Sequence, residues 1–157
     1  MSKKLYSLSN TEMGIYLDCI KKTTAYNLAF FIPLGKEIDV EKFKESVAKF
    51  FEVHPHMFMQ LTLDGDGNVM KYIEKSAIEI PTKRIQSLDE VKMEYFEMLD
   101  SKLYRLEMYQ VGDDRYFFFD FHHIVCDGGS IKLFIDQVFE IYEGKVVPSE
   151  TEDVYNT

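Results

Sequence analysis

Two adjacent histidines, His122 and His123, end an aromatic run and are followed by Asp127 and Gly128 in the stretch FHHIVCDGGS. The aromatic run predicts a β-strand, and successive side chains of a strand point to opposite faces. The two histidines therefore have different surroundings and different roles. Gly128 and Gly129 let the backbone adopt conformations closed to other residues and approach a ligand closely, and the predicted helix after them offers unpaired N–H groups. A histidine at such a turn is suited to taking up a proton while negative charge develops beside it.

Three plainer interpretations of the two histidines compete with this one. On the predicted strand His122 shares a face with Asp120, whereas His123 shares the other face with Phe121. Adjacent histidines that point apart cannot easily chelate one ion, so a metal site that combines them with Asp127 is disfavoured. A hydrogen-bonded structural histidine and a simple Asp-Gly-Gly turn are the other two. The whole string H-H-x-x-x-D-G, set between a strand and a helix, favours catalysis over all three.

The elements that must position this motif are predicted from capping residues, hydrophobic periodicity and turn residues. Capping boxes that begin at Ser9 and Ser87 predict helices over about 9–20 and from 87 to about 101. Periodic apolar residues predict two further helices, over 39–54 and 130–143. Runs rich in β-branched and aromatic residues predict strands over 25–34, 103–111 and 115–125, and a hairpin over 57–74. The hairpin turn, DGDGN, lacks the downstream Glu of a calcium loop and is interpreted as a plain turn.

Composition describes an acidic globular chain. The chain has 157 residues, of which 46% are hydrophobic, and a formal net charge of −9. This length predicts one domain or one lobe of a larger protein. The negative charge argues against a nucleic-acid partner, because phosphate binding needs clustered Lys and Arg.

The sequence also indicates the cellular location of the chain and the redox state of its cysteines. No apolar run approaches the roughly 20 residues of a membrane span, and the N-terminus has no apolar signal-peptide core. We therefore expect no membrane partner and a cytoplasmic location. Cys19 and Cys126 lie far apart, without the spacing of a disulfide framework or a CxxC metal site. Both are expected to be reduced, packed thiols.

The H-H-x-x-x-D-G string resembles the signature of the condensation domain of nonribosomal peptide synthetases. This family lies in the superfamily that includes chloramphenicol acetyltransferase and carnitine acyltransferases. The motif residues, from His122 to Gly128, meet the signature in full, and Ser130 and Leu133 continue the family pattern. The specificity of this string identifies the chain as similar to that family over residues 5–145.

Three further stretches carry the resemblance. LSNTEMGIYL is similar to the opening element S-x-A-Q-x-R-x-W, with Glu12 in place of Gln and Gly14 in place of Arg. KFFEVHPHM is similar to R-H-E-x-L-R and keeps His54, but lacks the two arginines. LYRL resembles a strand entry that carries an arginine, here Arg105. The departures concern the condensation subtype and the acyl specificity.

The resemblance implies an α+β fold, a two-layer α/β sandwich with a mostly antiparallel or mixed sheet, as in one lobe of chloramphenicol acetyltransferase. The family enzyme is longer, and two similar lobes form a V with the histidine motif facing a tunnel between them. Residues 1–145 are then the N-terminal lobe of a condensation domain. Residues 146–157 are a linker or a truncated end.

The resemblance also implies a reaction in secondary-metabolite (antibiotic) biosynthesis. It is amide bond formation between an acyl or peptidyl thioester donor and an aminoacyl acceptor, each on the 4′-phosphopantetheine arm of a carrier protein. His123 would be catalytic, and His122 and Asp127 would support the site. Gly128 would supply backbone near the thioester, and Arg105 is a candidate partner of Asp127. The lobe would bind no cofactor or metal itself, and its partners would be the C-terminal lobe and peptidyl carrier protein domains.

Two other functions stay open at this point. One is a non-catalytic module that docks a carrier protein. The other is a stand-alone CoA-dependent acyltransferase of the chloramphenicol acetyltransferase type, which would complete its site across a trimer interface. A trimer in solution would favour the acyltransferase, and a monomer would favour a lobe.

Overall fold

The structure of the chain is a computed structural model that describes residues 3–149. In chain order its helices and strands are β1 (Tyr6–Ser7), α1 (Asn10–Asp18), β2 (Asn27–Leu34), α2 (Val40–Val53), β3 (Met59–Leu63), β4 (Val69–Ile73), β5 (Thr82–Ile85), β6 (Tyr104–Val111), β7 (Asp114–His122) and α3 (Gly128–Tyr142). Short 3₁₀ turns occur at Pro55–Phe58 and Leu88–Glu90. Within the described residues, none of these helices has the length and apolar character that crossing a membrane requires.

The strands form two sheets. The smaller sheet is antiparallel, in the order β1–β4–β3, and the larger sheet has the order β2–β7–β6–β5. In the larger sheet β5 runs parallel to β6, and the other pairs are antiparallel. The predicted α+β fold with a mixed sheet is confirmed. The division into two sheets was not predicted, nor were the short strands β1 and β5.

One face of the larger sheet packs against α2 and α3 through phenylalanine side chains. Strand alternation brings Phe117, Phe119 and Phe121 to this face, and all three are fully buried. Phe134 of α3 lies 4.9 Å, ring centre to ring centre, from both Phe119 and Phe121. It also lies 4.9 Å from Phe50 of α2. Aromatic packing therefore fixes the position of α3, and with it the position of the loop that precedes α3.

The opposite face of the larger sheet is also buried where β7 ends. Asp120 and His122 lie on this face with no more than 1% of their surface exposed. An irregular segment, residues 91–99, supplies part of the cover: Phe96 contacts the His122 ring edge-to-face, with a centroid separation of 5.8 Å. Both faces of β7 are therefore shielded at the histidine end.

The helix predicted from Ser87 to about Ser101 is wrong beyond its first turn. The capping box at Ser87 forms as predicted, but only a 3₁₀ turn follows it. Side chains from the larger sheet donate hydrogen bonds to backbone carbonyls that would otherwise accept bonds within a helix. Asn27 donates to the Glu94 carbonyl at 2.7 Å, and Arg105 donates to the Lys92 carbonyl at 2.9 Å. These tertiary contacts override local helix propensity.

The other predicted elements are present with small changes in their ends. The capping box of Ser9 and Glu12 begins α1, Asp39 caps α2, and the hairpin of β3 and β4 turns at Gly67, whose φ is 83°. The predicted strand over 115–125 ends at His122. Part of the predicted linker, residues 150–157, lies outside the described residues, and the predicted boundary near residue 145 stays a prediction.

Candidate active site

His123 is the first residue beyond β7 and lines an open cleft. Its backbone N–H donates to the carbonyl of Tyr26 at 2.9 Å, which extends the pairing of β2 and β7 by one step. Its ring meets the Tyr26 ring edge-on, with centroids 6.2 Å apart. The side chain is half-buried. The imidazole is therefore held from behind and accessible from the cleft.

The cleft has a volume of about 500 Å³. Its walls are the N-terminal half of α1 and the loop that leads from β7 into α3. The lining residues are Ser9, Thr11, Glu12, Ile15, His123, Ile124, Val125, Cys126, Asp127 and Ser130. Hydroxyl, carboxylate and apolar groups thus surround a single histidine, an arrangement suited to a polar substrate group that must lose or gain a proton.

His122 is buried beneath the cleft and holds the turn that carries His123. The N–H of Ile124 donates to Nδ1 of His122 at 3.1 Å, and the N–H of Val125 donates to its carbonyl at 3.0 Å. Burial, with a smaller contribution from the neighbouring charge of His123, lowers the pKa of His122 to about 4. His122 is therefore a neutral ring that hydrogen-bonds the backbone.

Asp127 caps α3 at the floor of the cleft. Its Oδ1 accepts hydrogen bonds from the backbone N–H and the hydroxyl of Ser130, at 2.9 and 3.0 Å. These bonds, the backbone one foremost, lower the pKa of Asp127, and the charge of His123 contributes in the same direction. The side chain is exposed, so its anchor is the helix terminus that it caps.

The glycines after Asp127 do not serve the conformational role expected of them. Gly128 and Gly129 begin α3, and neither is among the described glycines with positive φ, which are Gly67, Gly112 and Gly144. A Cβ placed on Gly128 would meet no atom within 4 Å. The space beside Gly128 at the first turn of α3 is therefore open, although Gly128 is not among the residues that line the cleft.

Arg105 lies away from the position predicted for it. Its Nε donates to Glu107 at 3.0 Å, and its guanidinium stacks over Phe118 at 5.0 Å. Its charge also acts on the buried Asp120. The prediction that Arg105 pairs with Asp127 is therefore wrong. The reason is strand register, because Arg105 lies directly opposite Asp120 on β7.

Both cysteines are buried free thiols, as predicted. Burial raises the pKa of Cys126 to about 12 and raises that of Cys19 as well, so both are protonated at neutral pH. Among the described residues no cluster of His, Cys, Asp and Glu could hold a metal ion.

Sequence reasoning missed three residues that support the cleft. Lys71 of β4 makes a buried ion pair with Glu12 at 2.8 Å, Tyr26 stacks on His122, and Cys19 contacts His122. A lysine in the apolar run VMKYI was the one local signal, since a buried lysine needs a partner. Cys19 is 103 residues from its partner, and no spacing in the chain indicates that contact.

The condensation-domain family model matches residues 3–157. The chain belongs to the condensation-domain family. It corresponds to the N-terminal portion of such a domain. The matched span includes the string from His122 to Gly128.

Curated condensation-family relatives are far longer than the chain. Bacitracin synthase 3 of Bacillus licheniformis is 28% identical over 152 residues, which are 91% of this chain and 2% of that protein. Tyrocidine synthase 2 of Brevibacillus parabrevis is 24% identical over 151 residues, or 91% of this chain and 4% of that protein. The chain thus matches a small part of large synthases.

Solved condensation domains share the fold. The starter condensation domain of rhizomide synthetase superposes with a TM-score of 0.77 at 18% identity, covering 95% of this chain and 40% of that one. The first condensation domain of the calcium-dependent antibiotic synthetase gives a TM-score of 0.74 at 13% identity, with coverage of 94% and 40%. The chain therefore spans about 40% of the condensation domains that it matches.

Proposed function

We propose that this chain is the N-terminal lobe of a condensation domain in which His123 promotes amide bond formation. The donor is an acyl or peptidyl thioester and the acceptor an aminoacyl group, each carried on the phosphopantetheine arm of a carrier protein. The observation that carries the proposal is the contrast between the two histidines. His123 lines an open cleft, whereas His122 is buried and bonded to the backbone.

The reaction joins the amine nitrogen to the thioester carbonyl carbon. A tetrahedral intermediate forms as the C–N bond is made, and it collapses as the C–S bond breaks. His123 positions the amine, takes the proton that the nitrogen loses and returns it to the leaving thiolate, so that protons balance over the cycle. The open space beside Gly128 lets the thioester approach the first turn of α3.

The other motif residues act through structure. His122 holds the backbone N–H of Ile124, and Asp127 caps the helix that forms the floor of the cleft. The lobe needs no bound cofactor, since the carriers supply the activated groups. A C-terminal lobe and carrier proteins are the proposed partners, and the cytoplasm is the proposed compartment.

Replacement of His123 by alanine in a complete condensation domain that contains this lobe tests the proposal. We expect amide formation from loaded carriers to fall roughly 10²- to 10⁴-fold, the range for a positioned acid–base group. His56→Ala is the matched control, because His56 follows α2 and is not among the residues that line the cleft. Near-normal peptide formation by His123→Ala would remove the assignment.

The same experiment addresses the two alternatives. If the lobe only docks a carrier protein, the complete domain with the native lobe would make no amide. The His123→Ala and His56→Ala variants would then bind the carrier equally well. An acyltransferase of the chloramphenicol acetyltransferase type would use CoA thioesters and form trimers. The condensation-family match over residues 3–157 favours carrier-bound substrates over that alternative.

A further inference from the structure

We propose that Cys19 is a positioning residue for His123: its sulfur accepts the Nε2–H hydrogen bond of His122 and thereby fixes the turn that carries His123. The Sγ atom of Cys19 lies 3.4 Å from Nε2 of His122, and both side chains are buried. The inference rests on the proposed function of His123. Neither the condensation signature nor its flanking elements include this cysteine.

The proton position on His122 follows from its two polar neighbours. Because the N–H of Ile124 donates to Nδ1 at 3.1 Å, Nδ1 carries no proton. The ring is neutral at pH 7, since burial lowers the pKa of His122 to about 4. A neutral imidazole without a proton on Nδ1 carries it on Nε2, which faces the sulfur of Cys19. The sulfur is therefore the acceptor in this contact.

Aromatic rings contact His122 on two sides, and the sulfur of Cys19 is the hydrogen-bond acceptor beside Nε2. Tyr26 stacks on the imidazole with a centroid separation of 6.2 Å, and Phe96 meets it edge-on at 5.8 Å. Aromatic packing restrains the plane of the ring but supplies no hydrogen-bond acceptor for the N–H group. Without the sulfur, a buried N–H group would be left unpaired, which is unfavourable.

The contact joins the two walls of the cleft. Cys19 is the C-cap residue of α1, whose first half forms one wall, and His122 ends the strand that leads into the other. α1 contains no fully buried side chain; its half-buried Ile15 and Tyr16 pack against the core, and contacts at its two ends add to its positioning. The bond from His122 to Cys19 is the contact at the C-terminal end of α1. The other nitrogen of the same ring accepts the N–H of Ile124, two residues further along the chain.

The experiment compares Cys19→Ala and Cys19→Ser by imidazole nitrogen NMR and amide hydrogen exchange in the 157-residue chain. In the native chain we expect a single His122 tautomer, protonated at Nε2. Cys19→Ala should mix the tautomers and speed exchange at Ile124 by roughly 3- to 10-fold, the loss of one modest hydrogen bond. Cys19→Ser should restore both signals, because a hydroxyl oxygen also accepts.

Cys126→Ala is the matched control, since both thiols are 7% exposed but Cys126 does not bond His122. It removes a similar volume and should leave the His122 tautomer unchanged. A native His122 protonated at Nδ1 would overturn the inference even if Cys19→Ala failed to fold. So would a Cys19→Ser variant that matches Cys19→Ala in both signals.

Activity separates this inference from the proposed function. In a complete condensation domain, Cys19→Ala should lower kcat several-fold with little change in KM, and Cys19→Ser should recover it. An active His123→Ala enzyme would refute the proposed function and leave the imidazole measurements as they are. A full-rate Cys19→Ala enzyme, alongside an inactive His123→Ala enzyme, would refute the positioning role alone.

Discussion

The ammonium group of Lys71 lies 2.8 Å from Oε1 of Glu12, and this ion pair ties the smaller sheet to the first turn of α1. The side chains are 6% and 17% exposed. Oε1 of Glu12 also accepts the backbone N–H of Ser9 at 2.7 Å, so one carboxylate both caps α1 and neutralises the lysine. The position of one cleft wall therefore depends on a pair of charges.

Removal of Lys71 alone should be costly. Lys71→Met leaves Glu12 without its counter-charge, and because Glu12 is 17% exposed we expect a loss near the lower end for buried pairs, about 3 kcal/mol in the free energy of unfolding. Glu12→Gln strands the lysine in the same way. The double variant should recover about 1–3 kcal/mol relative to the sum of the single losses, as measured by urea unfolding.

The exposed pair of Lys132 and Asp136, which lies on α3, provides the control cycle. Its side chains are 81% and 48% exposed, so its coupling should be only about 0.3–0.5 kcal/mol. If the loss of stability in the double variant of Glu12 and Lys71 equals the sum of the single losses to within that small value, the structural role of the pair is contradicted.

The buried Asp120 should make stability depend on pH. Burial raises its pKa to about 6, against the lowering effects of Asn27 and Arg105. The native chain then binds more protons than the unfolded chain between about pH 4 and pH 6, so stability falls as pH rises through that window. Asp120→Asn should remove this fall and stabilise the chain above pH 7 by at most about 3 kcal/mol.

The contacts of Asp120 explain the choice of asparagine. Asn27 Nδ2 donates to Oδ2 of Asp120 at 2.8 Å, while Oδ1 of each of these side chains is buried without a partner among the described residues. An amide at position 120 can accept from Asn27 and donate back to it. Asp113→Asn, in the exposed turn before β7, removes the same charge as a control. The free energy of unfolding in urea is measured at several pH values. If it changes with pH in the same way for the Asp120→Asn chain and the native chain, the prediction is refuted.

Loss of the Asp127 cap should act through stability. Asp127→Ala removes the acceptor for the Ser130 amide, and we expect a cost of about 1 kcal/mol, with Asp127→Asn nearly neutral because asparagine caps equally well. Thermal unfolding and amide exchange at Ser130 measure the effect. An alanine variant that keeps its melting temperature but loses condensation activity would show a direct catalytic role instead.

Local patterns predicted most elements of this fold. Capping residues, helical periodicity and turn glycines act over a few residues, and α1, α2, α3 and the hairpin of β3 and β4 formed where those patterns indicated. The histidine motif was also found from its local string. Its separation into one buried and one accessible ring agrees with alternation along β7, although His123 itself lies just beyond the strand.

Contacts between distant segments account for what the sequence did not predict. The helical pattern after Ser87 lost to hydrogen bonds from Asn27 and Arg105, which come from strands on either side of β7. Strand register set Arg105 opposite Asp120 rather than near Asp127. Register and tertiary hydrogen bonds depend on the assembled sheet, and no short window of sequence contains that information.

The α1 wall of the cleft is coupled to the core at some positions and independent of it at others. Thr11 and Ile15 both line the cleft, but Thr11 is exposed, whereas Ile15 is half-buried and packs against the core. Surface substitutions away from caps and buried contacts usually change stability by no more than about 0.5 kcal/mol. The exposed position of Thr11 can therefore change at little cost to the scaffold, whereas a change at Ile15 alters the cleft and the core together.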